Sequence, residues 1–417
     1  MKKIAKKLII LSILLSGTQI VCLPIINLSI YQISLIISIF MSVIAIISEQ
    51  IYIPKGKYLL FCLLYFISSL LAWRISINPE WAKSYCLLGL LTTSLIFVIP
   101  ILFEQNDVLM LQRALIRSQY IVFPFSVYSF YMFYFRGGLP SNISLFGGMY
   151  IALDADTIRR AQVSSQLRLT LPYATPPILS IAVAMCIVLL LYNNKIFKGI
   201  KRYGLIFLFS VILVLTGSRS GIIGLIITLL LNPFIERKVK TGFKRRYVLL
   251  VITGVFCIVA MLPKLLSMVY VQKLIFRFKA IGEVPLWENR HILVPLDGLI
   301  LWCSSLKNFI LGIGFGSSVY INGAHTYLPP YFLNIYVTLI AERGIIGLFL
   351  VIMMIGMLIR LLRNINYKND ASRALAYCLL CGLIAGLFYE GLNCYFFIYV
   401  LAVGFLIDIT KTGQKID

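Results

Sequence analysis

Residues 204–235 read GLIFLFSVILVLTGSRSGIIGLIITLLLNPFI. Two apolar runs flank Gly217-Ser218-Arg219-Ser220-Gly221, and Arg219 is the single charge in the stretch. A helix that is apolar all round is buried in a large core or in lipid. Two such runs joined by a short glycine-bearing turn predict a tightly turned or re-entrant pair in a membrane. Arg219 sits where the chain reverses. A cation there is costly unless it faces protein, water or an anion. It either reaches lipid headgroups or meets an anion. The flanking glycines and the N-terminus of the following helix offer backbone N–H groups, which favours the anion.

Outward from this pair the texture persists. Of 417 residues, 60% are hydrophobic and 13% charged, with a mean hydropathy of +0.94. Soluble globules carry about a quarter charged residues. Apolar runs near the ~20 residues that cross ~30 Å of hydrocarbon recur from end to end. Spans are expected at 8–27, 31–48, 58–73, 86–103, 118–135, 173–192, 204–217, 220–235, 247–267, 344–362, 374–390 and 392–410. The expected fold is all-α: a polytopic integral membrane protein with about twelve transmembrane helices. It forms a single transmembrane domain over residues 1–417. The short alternating segments of a barrel are not seen. The N-terminal stretch reads as an uncleaved first helix, because further spans follow at once.

The net charge of +23 would suit nucleic acid, but its placement argues for topology. With Lys2, Lys3, Lys6 and Lys7 inside and the spans alternating, both termini are cytoplasmic. Every inner loop then carries Lys or Arg, and the densest cluster, Arg237 to Arg246, lies inside. That is the positive-inside pattern, and no nucleic acid is expected as a partner. Outer loops fall at about 136–172 and 268–343. The second includes Phe332–Ala341, an apolar stretch expected on the membrane surface or folded back into it. The nine Cys residues are scattered through apolar runs. Cys378 and Cys381 among them read as buried thiols rather than a metal or redox pair.

The basic residues left on the outside are informative, because topology does not explain them. Arg168 precedes the sixth span, and Arg343 closes the large outer loop. Arg290 lies in Trp287-Glu288-Asn289-Arg290-His291, ahead of an apolar helix. It is either an anchor paired with Glu288 or an anion contact. His325, in Asn322-Gly323-Ala324-His325-Thr326-Tyr327, is one of two histidines. Histidine suits proton transfer near neutral pH, although a lone histidine is more often structural. No HExxH, P-loop or dinucleotide fingerprint occurs, so neither metal nor cofactor is expected.

Three stretches together resemble the O-antigen polymerase and O-antigen ligase superfamily of polytopic membrane glycosyltransferases. Leu215 to Gly224 is similar to that family's Gly-Ser-Arg-x-Gly turn between two spans. Asn289-Arg290, followed by Leu311-Gly312-Ile313-Gly314-Phe315-Gly316, is similar to its arginine and glycine pattern. Ala324-His325-Thr326-Tyr327-Leu328, followed by Ala341-Glu342-Arg343-Gly344-Ile345-Ile346-Gly347, is similar to its histidine motif. The three keep the family's order over roughly residues 150 to 360. Thr326 stands where the family more often has Asn, and Ser220 where it more often has Gly.

The resemblance implies an undecaprenyl-diphosphate-linked glycan as donor, on the periplasmic face of a bacterial inner membrane. His325 would be the catalytic residue, taking a proton from the acceptor hydroxyl or orienting it. Arg219, Arg290 and Arg168 would hold the diphosphate, a task that suits the bidentate guanidinium. Two activities share these motifs. An O-antigen polymerase joins repeat units, and an O-antigen ligase passes the glycan to lipid A–core. The polymerase is favoured, with a chain-length regulator as a further partner. A lipid-linked glycan transporter or flippase is the competing class. It would place charges near mid-bilayer and repeat its helices, and neither pattern is read here.

Overall fold

The computed structural model describes residues 1–18, 21–23, 28–54, 56–136, 142–144, 150–152, 168–173, 175–236, 290–317, 332–363, 370–389 and 394–413. Most of these are helical. The chain begins with α1 (Lys2–Leu15), α2 (Ile30–Ser48), α3 (Lys57–Arg74), α4 (Pro79–Leu102), α5 (Val108–Ser118) and α6 (Val122–Phe135). Next come α7 (Pro176–Tyr192), α8 (Gly199–Leu215) and α9 (Arg219–Glu236). The last group is α10 (Arg290–Cys303), α11 (Leu306–Leu311), α12 (Ile335–Arg363), α13 (Asp370–Ala385) and α14 (Tyr395–Gly413). Among the described residues, four helices are long and apolar enough to cross a membrane: α2, α3, Ala82–Leu102 of α4, and α12. Several shorter helices, α7 and α9 among them, are also apolar. The molecule is a helical protein with membrane-spanning character.

Local sequence explains the helix starts. Ser29 accepts from the Gln32 N–H while the Gln32 side chain accepts from the Ser29 N–H, a reciprocal cap on α2. Pro176 and Pro177 open α7, where a missing N–H leaves no helical bond unmade.

Helix α7 is the axis of the bundle. Nearly all its residues are buried, and α8, α9 and α13 pack around it. A second group joins α3 and α4 with α12 and α14. Buried hydroxyls find partners across helices: Ser12 Oγ and Tyr399 Oη stand 2.9 Å apart, and Tyr31 Oη donates to Tyr399 Oη at 3.3 Å. Such bonds keep polar groups satisfied where water is scarce. Cys378 and Cys381 are fully buried free thiols, as expected.

Contacts define two ends of the bundle. At one end the Met1 amine meets Glu49 at 2.5 Å, Lys6 meets Asp107 at 2.6 Å, and Arg360 meets Asp408 at 2.7 Å. Arg113 Nη2 also donates to the Lys195 carbonyl there, at 2.7 Å. At the other end Leu169 N–H bonds the Leu215 carbonyl, Phe315 N–H bonds the Ala72 carbonyl, and Ile335 N–H bonds the Gly386 carbonyl. Consecutive long helices run between these ends in alternating directions.

Several sequence expectations change. The first helix covers Lys2–Leu15 rather than 8–27, and the chain then turns at Ser16–Thr18 and enters a strand. Gly17 lies so close to the Ser118 carbonyl that a Cβ there would stand 2.2 Å away, so the chain leaves the helix at that contact. The strand, β1 (Val21–Cys22), pairs with β3 (Tyr150–Ala152), which also pairs with β2 (Asn142–Ser144). The all-α class holds, and a small three-stranded antiparallel ribbon is added to it. The expected inner loop at 104–117 is mostly helix α5, whose Val108, Leu111 and Leu115 are buried. That spacing marks one helical face, which the interspersed charges hid from a hydropathy reading.

The stretch Phe332–Ala341 packs into the bundle. From Ile335 it forms the first part of α12, largely buried, and continues across a break at Gly344 (φ 61°, ψ −142°). The span expected at 247–267 lies outside the described residues.

Candidate functional site

The turn between α8 and α9 is built from small residues. Gly217, with φ of 57°, ends α8 in the left-handed region that glycine adopts without strain. Ser218 N–H donates to Thr216 Oγ1 at 3.2 Å, and Ser218 Oγ lies 3.1 Å from Ser220 Oγ. Ser220 Oγ lies 3.4 Å from Ser180 Oγ on α7. Gly221 then brings α9 against α7, where a Cβ would meet the Ser180 carbonyl oxygen at 2.3 Å. The Gly-Ser-Arg-Ser-Gly sequence is thus a turn pinned to the central helix through Ser220 and Gly221, both at Ser180.

Two of the expected arginines meet at this turn. Arg168 Nε donates to the Thr216 carbonyl at 3.2 Å and its Nη2 to the Gly217 carbonyl at 3.4 Å. A guanidinium at the C-terminal end of a helix is favourable, because it faces orphan carbonyls. Arg219 is the opposite case. It is the first residue of α9, half-buried, at the positive end of that helix. A cation there is disfavoured by roughly 0.3–1 kcal/mol unless negative charge joins it. Arg168, through its bonds to the Thr216 and Gly217 carbonyls, and Arg219, as the first residue of α9, therefore belong to the same turn at one end of the bundle.

An apolar groove adjoins the same turn. It holds about 340 Å³ between α6 and α8 and is lined by Phe123, Val127, Phe130, Leu208 and Val211, with Leu169 and Leu215 also in its wall. Those last two residues adjoin Arg168 and Thr216 in sequence and bond to each other through their backbones.

The second and third motif stretches also come together. The loop Gly312–Ser317 lies against the break in α12. Ile313 N–H bonds the Ala341 carbonyl at 2.8 Å, and Gly314 N–H bonds the Glu342 carbonyl at 3.2 Å. Phe315 N–H bonds the Ala72 carbonyl at 3.0 Å, and Gly316 N–H bonds Glu342 Oε1 at 2.9 Å. Gly-x-Gly-x-Gly resembles a phosphate cradle in sequence. Here its donors are already engaged by protein oxygens, and its glycines serve close packing. A Cβ at Gly314 would stand 2.6 Å from Ser76 backbone atoms.

Arg290 opens α10, and its side chain is not among those described. Farther along α10, Gly298 packs against Phe332 and against Val337 of α12. His325 lies outside the described residues. Sequence reading treated Arg343 only as a leftover outer charge, whereas it is 4% exposed inside the bundle. The signal was available: the apolar run from Phe332 continues past Glu342-Arg343, which puts two charges within a helix.

No known family model and no curated protein sequence matches this chain.

Proposed function

We propose that this protein is a polysaccharide polymerase that joins undecaprenyl-diphosphate-linked repeat units on the periplasmic face of a bacterial inner membrane. The observation that carries this reading is the Arg168–Arg219 turn. Two guanidinium groups and a helix N-terminus suit a diphosphate, and the apolar groove adjoining the turn suits a hydrocarbon chain attached to it. An anionic lipid is the ligand class that uses both features at once. About twelve spans with both termini cytoplasmic complete the reading.

The chemistry needs no outside energy source. An acceptor hydroxyl attacks the anomeric carbon of the donor glycan, the bond from that carbon to the diphosphate oxygen breaks, and the diphosphate leaves with the electron pair. His325 takes the hydroxyl proton. Arg168, Arg219 and Arg290 hold the departing charge, where stabilisation counts most. Loss of a positioned general base lowers rate by about 10²–10⁴-fold.

A glycan ladder tests this. The gene is deleted in its native host and complemented with wild type, His325→Ala or Arg219→Ala. Core bearing a single repeat in the deletion, restored to a ladder by wild type alone, supports the polymerase. Polymer accumulating on its lipid carrier with bare core would instead identify a ligase. An unchanged ladder in the deletion would overturn the glycosyltransferase reading and favour transport.

A further inference from the structure

The glycine loop Gly312–Ser317 is held from below by a buried cation. Arg343 Nη1 donates to Ser68 Oγ at 2.9 Å, Ser69 Oγ at 3.0 Å and the Tyr65 carbonyl at 3.3 Å. Its guanidinium lies 4.1 Å from the centre of the Tyr65 ring and 5.1 Å from that of Phe315. Its Nε has no hydrogen-bond partner, and none of its partners among the described residues is a carboxylate. At 4% exposure this is a cation inside a helical bundle, compensated by neutral oxygens and two ring faces. Burial of that kind is costly, and a positioned task is the usual reason it is kept.

The neighbouring geometry names the task. Arg343 links α12 to α3 and stacks under Phe315, the middle of the loop. The adjacent Glu342 is 6% exposed and binds the Gly316 N–H one residue farther along. The break at Gly344 is what aims these consecutive side chains at the loop and at α3. On α4, Gly89 leaves the space: a Cβ there would stand 2.5 Å from Ser69 Oγ and 3.8 Å from Arg343 Nη2.

We propose that Arg343 is a positioning residue that fixes the glycine loop against α3, and that this placement serves glycosyl transfer. The second clause rests on the proposed function. Arg343 touches no substrate in this scheme. It holds Phe315 and Ser317 in register with Ser76 and Ile77, where Ser76 Oγ donates to the Phe315 carbonyl at 2.8 Å and Ile77 N–H donates to Ser317 Oγ at 3.3 Å.

The test separates loop placement from activity. Ser317→Cys and Ile77→Cys are combined in the full-length protein, with each single variant as control for the native thiols. A short bis-thiosulfonate joins them in membranes, and mass spectrometry reads the yield. Adding Arg343→Met should cut the yield about tenfold, the effect of losing roughly one charged hydrogen-bond set. Arg343→Lys, whose ammonium can still reach the Ser68 and Ser69 hydroxyls, should restore most of it. The glycan ladder, read on chains without the added cysteines, should vanish with Met and return with Lys. A wild-type yield in Arg343→Met overturns the proposal whatever the ladder does. A lost yield with an intact ladder overturns the link to transfer. Failure of the functional reading shows earlier and separately, as an unchanged polysaccharide in the gene deletion. If Arg343→Met does not accumulate, Ser68→Ala combined with Ser69→Ala keeps the charge and removes two acceptors. A lowered yield then supports the pin, and a wild-type yield overturns it.

Discussion

Gly221 and Gly204 invite the same substitution with opposite results. At Gly221 an alanine methyl would stand 2.3 Å from the Ser180 carbonyl oxygen and 2.5 Å from its carbon, where ordinary contact begins at 3.4 Å. Both atoms are backbone of α7, so no side chain can swing aside. Helix α9 must back away by about 1 Å, and overpacking of this kind costs about 1–3 kcal/mol. Against that stands the gain of about 0.5–1 kcal/mol when alanine replaces glycine in a helix. The net expectation is a loss of roughly 1–2 kcal/mol. At Gly204, in α8, nothing lies within 4 Å of the added methyl. Only the propensity gain remains, so Gly204→Ala should stabilise by about 0.5–1 kcal/mol. Thermal unfolding of the two purified variants in one detergent reads the difference directly. Gly221→Ala should melt below wild type and Gly204→Ala above it. A Gly221→Ala protein as stable as Gly204→Ala would refute the close crossing of α9 on α7, and with it the pinning of Arg219.

Other expectations follow from single contacts. Arg168→Ala removes two bonds to the carbonyls that end α8 and should cost roughly 1–2 kcal/mol in the same melt, with shortening of the glycan ladder. Gly314→Ala meets both a φ of 83° and the Ser76 backbone at 2.6 Å, and should reduce the protein recovered from membranes severalfold, by about 2 kcal/mol or more of destabilisation. Arg360 grips Asp408 with two nitrogens, at 2.7 and 3.0 Å, at a half-buried site. A double-mutant cycle with Arg360→Gln and Asp408→Asn should return a coupling of about 1–2 kcal/mol, and a coupling near zero would place the pair in solvent.

Lipid made much of this fold legible. Where a helix must satisfy every backbone group internally, apolar length alone locates it, and α2 and α3 fall within a residue of 31–48 and 58–73. The reading failed where tertiary contact decides. Nothing local says that Val21–Cys22 pairs with residues 150–151, or that Gly17 seats against Ser118. Helix α5 was hidden because its charges dilute its apolar face. At the candidate site the Gly217–Gly221 turn was readable from glycine chemistry. The bond from Arg168 to the Thr216 carbonyl was not, since it spans 48 residues of chain. Arg343 was overlooked because the helix boundary was set at 344, one residue past it.

Three of the bonds that fasten the glycine loop join main-chain atoms on both sides, at Ala72, Ala341 and the Glu342 carbonyl. Main-chain bonds are blind to side-chain identity. Ile313 could therefore be exchanged for another residue of similar size while those three bonds stayed in place. Gly312 and Gly314 could not, because their neighbours are backbone. A frame of this kind lets most letters drift while holding the spacing of a few. Evolutionary distance in such a protein would be recorded less in percentage identity than in the rhythm of its glycines.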